Sequence, residues 1–365
     1  MLKKLITLIL DPTIHHKKSA LTKEYAKILA TYLGLFFALL VINPSPLKGA
    51  ASDIKIKTIT IYTYDSFSGP YGAGPKIKDL FEKSCNCKIK YLSLSDANLI
   101  LSKIILENKK TSADIILGID NHLLQKANQT HLFSPHNISL PLSDFNPPDD
   151  YFSDLFLPFD YGWFTFVYSN KTLPNPPKNF AELLNIGNNK SRSLVIQDPR
   201  TSSPGLGFLV WLSTLYPNNL GQVLKKIDQQ VISYPKGWSQ AYQMFLAGEA
   251  KMVFSYITSP IYHQLMEKRF DIKPWVSGDD YYMQIEYAAI LKTSKQPKLA
   301  KEFLKFLVSE PAQKLIATTQ WMYPVINVPL PKAFGLAKPK NIIWPKVLTQ
   351  QEYKKLIGQW LNATN

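Results

Sequence analysis

The chain has 365 residues, 45% of them hydrophobic and 19% charged, which is enough for a large core and, by length alone, about two domains. Its formal charge is +15, from 42 Lys and Arg against 27 Asp and Glu. No basic run of five or more and no nucleic-acid-binding module occurs, so the charge marks an ordinary basic surface and not a nucleic-acid interface.

The chain opens on a leader. Ile28–Ile42 is an uncharged apolar run of 15 residues, preceded by Lys17, Lys18, Lys23 and Lys27 and broken by Asn43-Pro44-Ser45-Pro46. Gly49-Ala50-Ala51 offers small residues for cleavage. A basic flank, a short apolar core and a small-residue exit are the parts of a secretory signal. The run is shorter than the roughly 20 residues of a membrane-spanning helix. Residues 1–51 are therefore expected to be a signal peptide or an N-terminal membrane anchor, with the rest exported to the periplasm. No lipobox cysteine precedes Ser52, which argues against a lipid anchor.

Beyond the leader, strand and helix signals alternate. Ile59, Ile61 and Thr63 mark a buried strand that ends at Tyr64-Asp65-Ser66-Phe67. A Gly-Pro loop follows, with Pro75 at the start of a helix over Lys76–Ser84. Cys85 and Cys87 then flank Asn86. Two residues apart and without His or Cys partners, they make a poor metal site. They can be a tight bridge in an oxidising compartment or free thiols between the helix and the next strand, Lys88–Leu92. Helix Leu99–Asn108, strand Asp114–Gly118 and helix His122–Asn128 complete a βαβαβα order, which predicts a mostly parallel sheet.

A polar, Pro-rich stretch over Ser134–Asp150 leads to Phe156–Asn170, an apolar and aromatic strand long enough to pass from one domain into another. A second α/β set follows. It comprises strand Ser193–Gln197, helices Gly207–Tyr216 and Leu220–Gln230, helix Ser239–Ala247, strand Met252–Ser255 and helix Pro260–Lys268. Tyr282–Leu291 is a return strand, Pro297–Val308 an amphipathic helix, and Glu352–Asn362 a last helix. The expected fold is α/β and two-lobed, of the type II periplasmic-binding-protein class with hinge strands. Residues 52–158 plus 284–320 form the first lobe and 159–283 plus 321–365 the second.

Ligands of open α/β sheets sit outside the carboxyl ends of strands. Aromatic and hydroxyl groups gather there, in Tyr64–Phe67, Asp198–Gly205, Lys236–Tyr242, Ser255–Tyr262 and Thr319–Val325. Thr201-Ser202-Ser203 and Thr258-Ser259 stand ahead of helices, where hydroxyls and free N–H groups hold an anion or simply cap the helix. Tyr64, Tyr71, Trp238, Tyr262 and Trp321 suit a flat organic cation. Asp96, after the second strand, is placed to pair with a cation or to cap the helix that follows. Together these groups describe a phosphorylated or hydroxylated heteroaromatic cation.

The blocks Y-T-Y-D-S-F, C-N-C-K, A-D-I-I-L-G-I-D-N, P-F-D-Y-G-W-F, Q-D-P-R-T-S-S-P-G-L-G, K-G-W-S-Q-A-Y, S-Y-I-T-S-P-I-Y and W-M-Y-P-V-I-N-V occur in order over about residues 56–330. In them the chain resembles the periplasmic thiamine-binding proteins of bacterial ABC transporters, a branch of the extracellular solute-binding proteins. The resemblance implies a cleft for thiamine, thiamine phosphate or thiamine diphosphate, delivery to an inner-membrane ABC permease, a monomer, and no cofactor, catalysis or nucleic-acid partner. Carried over, it puts Asp96 and Ala97 on the ligand from one lobe and Ser202 and Ser203 at its phosphate or hydroxyethyl end. Trp238 stacks on the ligand. Tyr256, Ile257, Thr258 and Ser259 add polar contacts, and Tyr64, Tyr71, Tyr262 and Trp321 complete the walls. Tyr71 stands where the family can have Trp, which weakens stacking, and Ala97 where it can have Gly, which bears on any contact needing an unusual dihedral. Two rivals remain. A thiaminase-like enzyme on the same fold needs a cleft cysteine with a carboxylate base. A ferric-ion or other small-cation binder needs clustered Tyr, His and carboxylate oxygens.

Overall fold

Apolar residues that alternate or run unbroken set the strands of this chain, and Gly, Pro and Asn set their ends. In the computed structural model the described residues are 56–140, 151–185, 192–276, 281–336, 339 and 341–364. The expected leader and part of the polar stretch before Asp150 lie outside them.

The first elements are β1 (Thr58–Tyr64) and the single-turn α1 (Asp65–Ser68). Helix α2 (Gly74–Cys85) has Pro75 in its first turn and ends at Asn86, which is left-handed at φ 48° and ψ 48°. A Cys85–Cys87 disulfide spans that cap. Strand β2 (Lys88–Leu94), helix α3 (Ala97–Glu107), strand β3 (Ile115–Asp120), helix α4 (Leu124–Asn128) and the short β4 (Phe133–Ser134) follow. β1 pairs in parallel with both β2 and β3.

Strand β5 (Leu157–Ser169) then crosses the molecule. It is buried along almost its whole length, so its sequence shows an apolar run and no alternation. After it come α5 (Phe180–Leu183), β6 (Leu194–Val195), α6 (Ser203–Leu215), α7 (Leu220–Asp228), β7 (Val231–Ser233), α8 (Trp238–Leu246), β8 (Met252–Tyr256), α9 (Ser259–Met266) and β9 (Ile272–Pro274). Strand β10 (Tyr281–Leu291) returns, followed by α10 (Pro297–Leu307), α11 (Glu310–Leu315), a π-helical turn over Ile316–Gln320, β11 (Tyr323–Pro324), α12 (Lys332–Leu336), β12 (Ile342–Ile343) and α13 (Gln350–Thr364).

The main path through the sheet is β2-β1-β3-β10-β5-β8-β6-β7. Its two ends are parallel, as expected, but its centre is not. β10 is antiparallel to β3 and to β5, and β5 is antiparallel to β8. The sheet is therefore mixed and not mostly parallel. The expected lobe boundaries at 158/159 and 283/284 fall inside β5 and β10 themselves. β10 carries register shifts on both sides of Tyr287, against β5 between Glu286 and Tyr287 and against β3 between Tyr287 and Ala288.

Asp160 of β5 and Glu286 of β10 face each other across this central pair and are both buried. Burial pushes both carboxyls above the usual range, and the charge of Glu286 raises Asp160 further. Their folded-state affinity for protons exceeds that of the unfolded chain, so their contribution to stability falls as pH rises above the ordinary carboxyl value of about 4. Asp160→Asn is expected to stabilise the protein at pH 8 and to do so less at pH 5. Thermal unfolding across that range, with a flatter pH profile for the variant, checks this.

Candidate functional site

A cavity of about 800 Å³ is walled by residues of α1, α3, α6, α8 and α9. Its floor is set by strand ends. Tyr64 closes β1 and donates its hydroxyl to Glu286 Oε2 at 2.5 Å, while Gln284 Nε2 donates to Oε1 at 2.8 Å. Gln320 reaches Tyr64 Oη at 3.3 Å. Gly118, in β3, has φ +99°, and a Cβ there would lie 2.1 Å from the Tyr64 ring. Only glycine combines that backbone with that approach.

The sides come from helix starts. Asp96 caps α3, accepting from Ala97 N at 2.8 Å, and the same oxygen accepts from Ser203 N at the start of α6 at 2.9 Å. One carboxylate thus serves two helix N-termini, where backbone N–H groups lack helical partners. Burial nevertheless pushes Asp96 up to about 7, with these hydrogen bonds opposing the rise. A second such link runs from Ser239 Oγ to Asp65 Oδ1 at 2.7 Å.

Aromatic rings complete the wall. Trp238, the first residue of α8, is half-buried, and its Nε1–H donates to Ser255 Oγ at 2.8 Å. Tyr262 meets Trp321 edge to face, with ring centroids 5.9 Å apart. Trp321 follows the π-helical turn and is left-handed at φ 60°, a conformation uncommon for a bulky residue and one that clusters at functional sites. Tyr71 sits at the rim, 79% exposed.

Of the expected residues, Tyr64, Tyr71, Asp96, Ala97, Ser203, Trp238, Tyr256, Ser259, Tyr262 and Trp321 line this cavity together. Ser202, Ile257 and Thr258 are buried but do not line it. Ile257 and Thr258 form the turn between β8 and α9, and only the residues that flank it, Tyr256 and Ser259, reach the cavity. Helix α6 also starts at Ser203, four residues before the expected Gly207, which makes Ser202 its N-cap, with no side-chain cap bond.

Glu286, His263 and Glu267 also line the cavity and fall outside the expected stretches, while Tyr242 and Gln320 fall inside two of them without having been singled out. For Glu286 the signal is one charge inside the apolar run Y-Y-M-Q-I-E-Y-A-A-I-L. Asp65, Asp96, Glu267 and Glu286 put four carboxyl groups in the lining, whereas none of the described lining residues is Lys or Arg. On a chain of charge +15 this is a local reversal of sign. Cys85 and Cys87 are joined to each other and lie outside the lining. Among the described residues no group of three or more His, Cys, Asp and Glu is arranged for a metal ion.

Residues 65–314 match the family model described as bacterial extracellular solute-binding protein. A thiamine-binding periplasmic protein of Salmonella typhimurium is 41% identical over 325 residues, covering 88% of this chain and 98% of the relative. One from Escherichia coli is 43% identical over 310 residues, covering 84% and 93%. A solved periplasmic thiamin binding protein superposes with a TM-score of 0.78 at 39% identity, covering 85% of this chain and 97% of that one. A ferric binding protein from Campylobacter jejuni shares the fold at a TM-score of 0.63 and 21% identity.

Proposed function

This chain belongs to the bacterial extracellular solute-binding protein family, and on that premise we propose that it captures thiamine in the cavity between its lobes. The observation that carries the reading is the acid-lined, ring-walled cavity on an otherwise basic chain. Thiamine joins a positively charged thiazolium to an aminopyrimidine. A cation over an aromatic face gains about 0.5–2 kcal/mol, more when water is excluded.

In this reading Trp238 stacks on one ring, Tyr64, Tyr262 and Trp321 wall the other sides, and Tyr71 covers the mouth. Asp96 and Glu286, whose carboxyls burial holds partly protonated, give up their protons as the cation enters and so become its counter-charge. The hydroxyethyl arm turns toward Ser203, Tyr256 and Ser259, and thiamine phosphate and thiamine diphosphate enter the same way with their phosphates outermost. The protein acts as a binder and not an enzyme, because its two cysteines stand away from the cavity. It works as an exported monomer that hands its ligand to an inner-membrane ABC permease. Among the described residues no helix is long and apolar enough to cross a membrane.

Titration of the purified protein, followed by tryptophan fluorescence, tests this. Thiamine is expected to give a saturable change at one equivalent, and the neutral aminopyrimidine fragment alone to bind at least tenfold more weakly, about 1.4 kcal/mol. Failure of thiamine to saturate the signal below about 1 mM overturns the reading.

A further inference from the structure

Tyr242, His263 and Glu267 line the cavity, yet the thiamine reading gives them no contact with the ligand. They form a chain. His263 Nδ1 lies 2.7 Å from Glu267 Oε2, and His263 Nε2 lies 3.0 Å from Tyr242 Oη. Neutral imidazole donates through one nitrogen and accepts through the other. With Nδ1–H donating to the carboxylate, Nε2 of the neutral ring is left to accept from the tyrosine hydroxyl. Glu267 is itself held by Arg269 at 3.8 Å.

The same residues form a belt of rings. Tyr242 stacks on Trp238, with centroids 4.8 Å apart and planes 21° apart. On His263 it stacks at 5.8 Å and 11°. His263 meets Tyr262 edge to face at 5.2 Å, and Tyr262 in turn meets Trp321. Both tryptophans of the cavity are thus joined through one buried histidine. Trp238 stands on the first residue of its helix, where the backbone alone leaves a side chain free to turn. Its Nε1–H bond to Ser255 and the Tyr242 ring against its face remove that freedom.

We propose that Tyr242 and His263, anchored by Glu267, are positioning residues that set the plane of Trp238 toward a flat cationic ligand. The proposal rests on the thiamine reading, and two measurements keep the two apart. In the full chain, Tyr242→Leu is expected to weaken thiamine binding about three- to tenfold, the size of an aromatic pair. His263→Gln is expected to weaken it about two- to fivefold, the size of a lost hydrogen bond. In a Trp238→Ala background neither change should lower affinity further, since their effect passes through the indole. Equal losses in both backgrounds, or no loss in the wild-type background, overturn the proposal.

The second measurement needs no ligand. The near-ultraviolet circular dichroism difference between wild type and Trp238→Phe reports the fixed indole. It should largely vanish when Tyr242→Leu is present in both proteins, and its persistence overturns the proposal. If thiamine does not bind at all while the dichroism behaves as expected, the ligand reading fails and the positioning role stands. Tyr242→Phe keeps the ring and is expected to restore most of the dichroism lost in Tyr242→Leu.

Discussion

Trp238→Ala is expected to cost about 1–3 kcal/mol of thiamine affinity, roughly 5- to 150-fold, on the scale measured for bases stacked on aromatic side chains. The indole is half-buried, braced on one face by Tyr242 and pinned by Ser255, and it lines the cavity. Truncation removes a large flat surface and leaves a gap that water fills. Some stability goes with it, because Trp238 packs against the core, stacks on Tyr242 and bonds Ser255. Calorimetric titration, at a temperature where the variant is fully folded, should therefore show weaker binding. An unchanged dissociation constant removes Trp238 from the site.

Gly118→Ala is expected to do the reverse and strike the fold first. Residue 118 has a left-handed backbone that costs an L side chain about 1–2 kcal/mol. The added methyl would also lie 2.1 Å from the Tyr64 ring, well inside contact, and overpacking of that kind costs about 1–3 kcal/mol. Tyr64 cannot yield freely, since its hydroxyl is tied to Glu286 and Gln320. A loss of about 2–4 kcal/mol in denaturant unfolding follows, with weaker thiamine binding as Tyr64 is pushed toward the cavity. Wild-type stability in this variant would show that the ring has room to move.

Much of the fold is legible in the residues because burial leaves a pattern. Phe156–Asn170 reads as one long strand and is one, over Leu157–Ser169. Its direction relative to its neighbours is not legible. β5 is antiparallel to β8 and β10 because of where the chain travels between them, which no local pattern records. Gly205 reads as loop ahead of a helix expected from Gly207, but α6 has already begun at Ser203. A Cβ at Gly205 would lie 2.4 Å from Gln197 O, so glycine there serves close packing of the helix on the chain.

The cavity was readable through its aromatic residues, which stand out in loops. Its carboxyl groups were harder to see. Glu286 hides in a strand that otherwise reads as core, and Glu267 and His263 belong to a helix end of ordinary composition. Similarity places a motif near the ligand but does not say which of its side chains turn inward. Ser203 reaches the cavity, while the adjacent Ser202 is buried behind it.

The irregular pairing of β10 beside Glu286 has a mechanical consequence. An interrupted ladder bends more easily than a regular one, and here the interruption falls on a strand that both halves of the protein share. The bend falls at Glu286–Ala288, next to a carboxyl that forms part of the cavity floor. A solute resting on that floor would press on the bend itself, at almost no lever arm and with no relay through the helices.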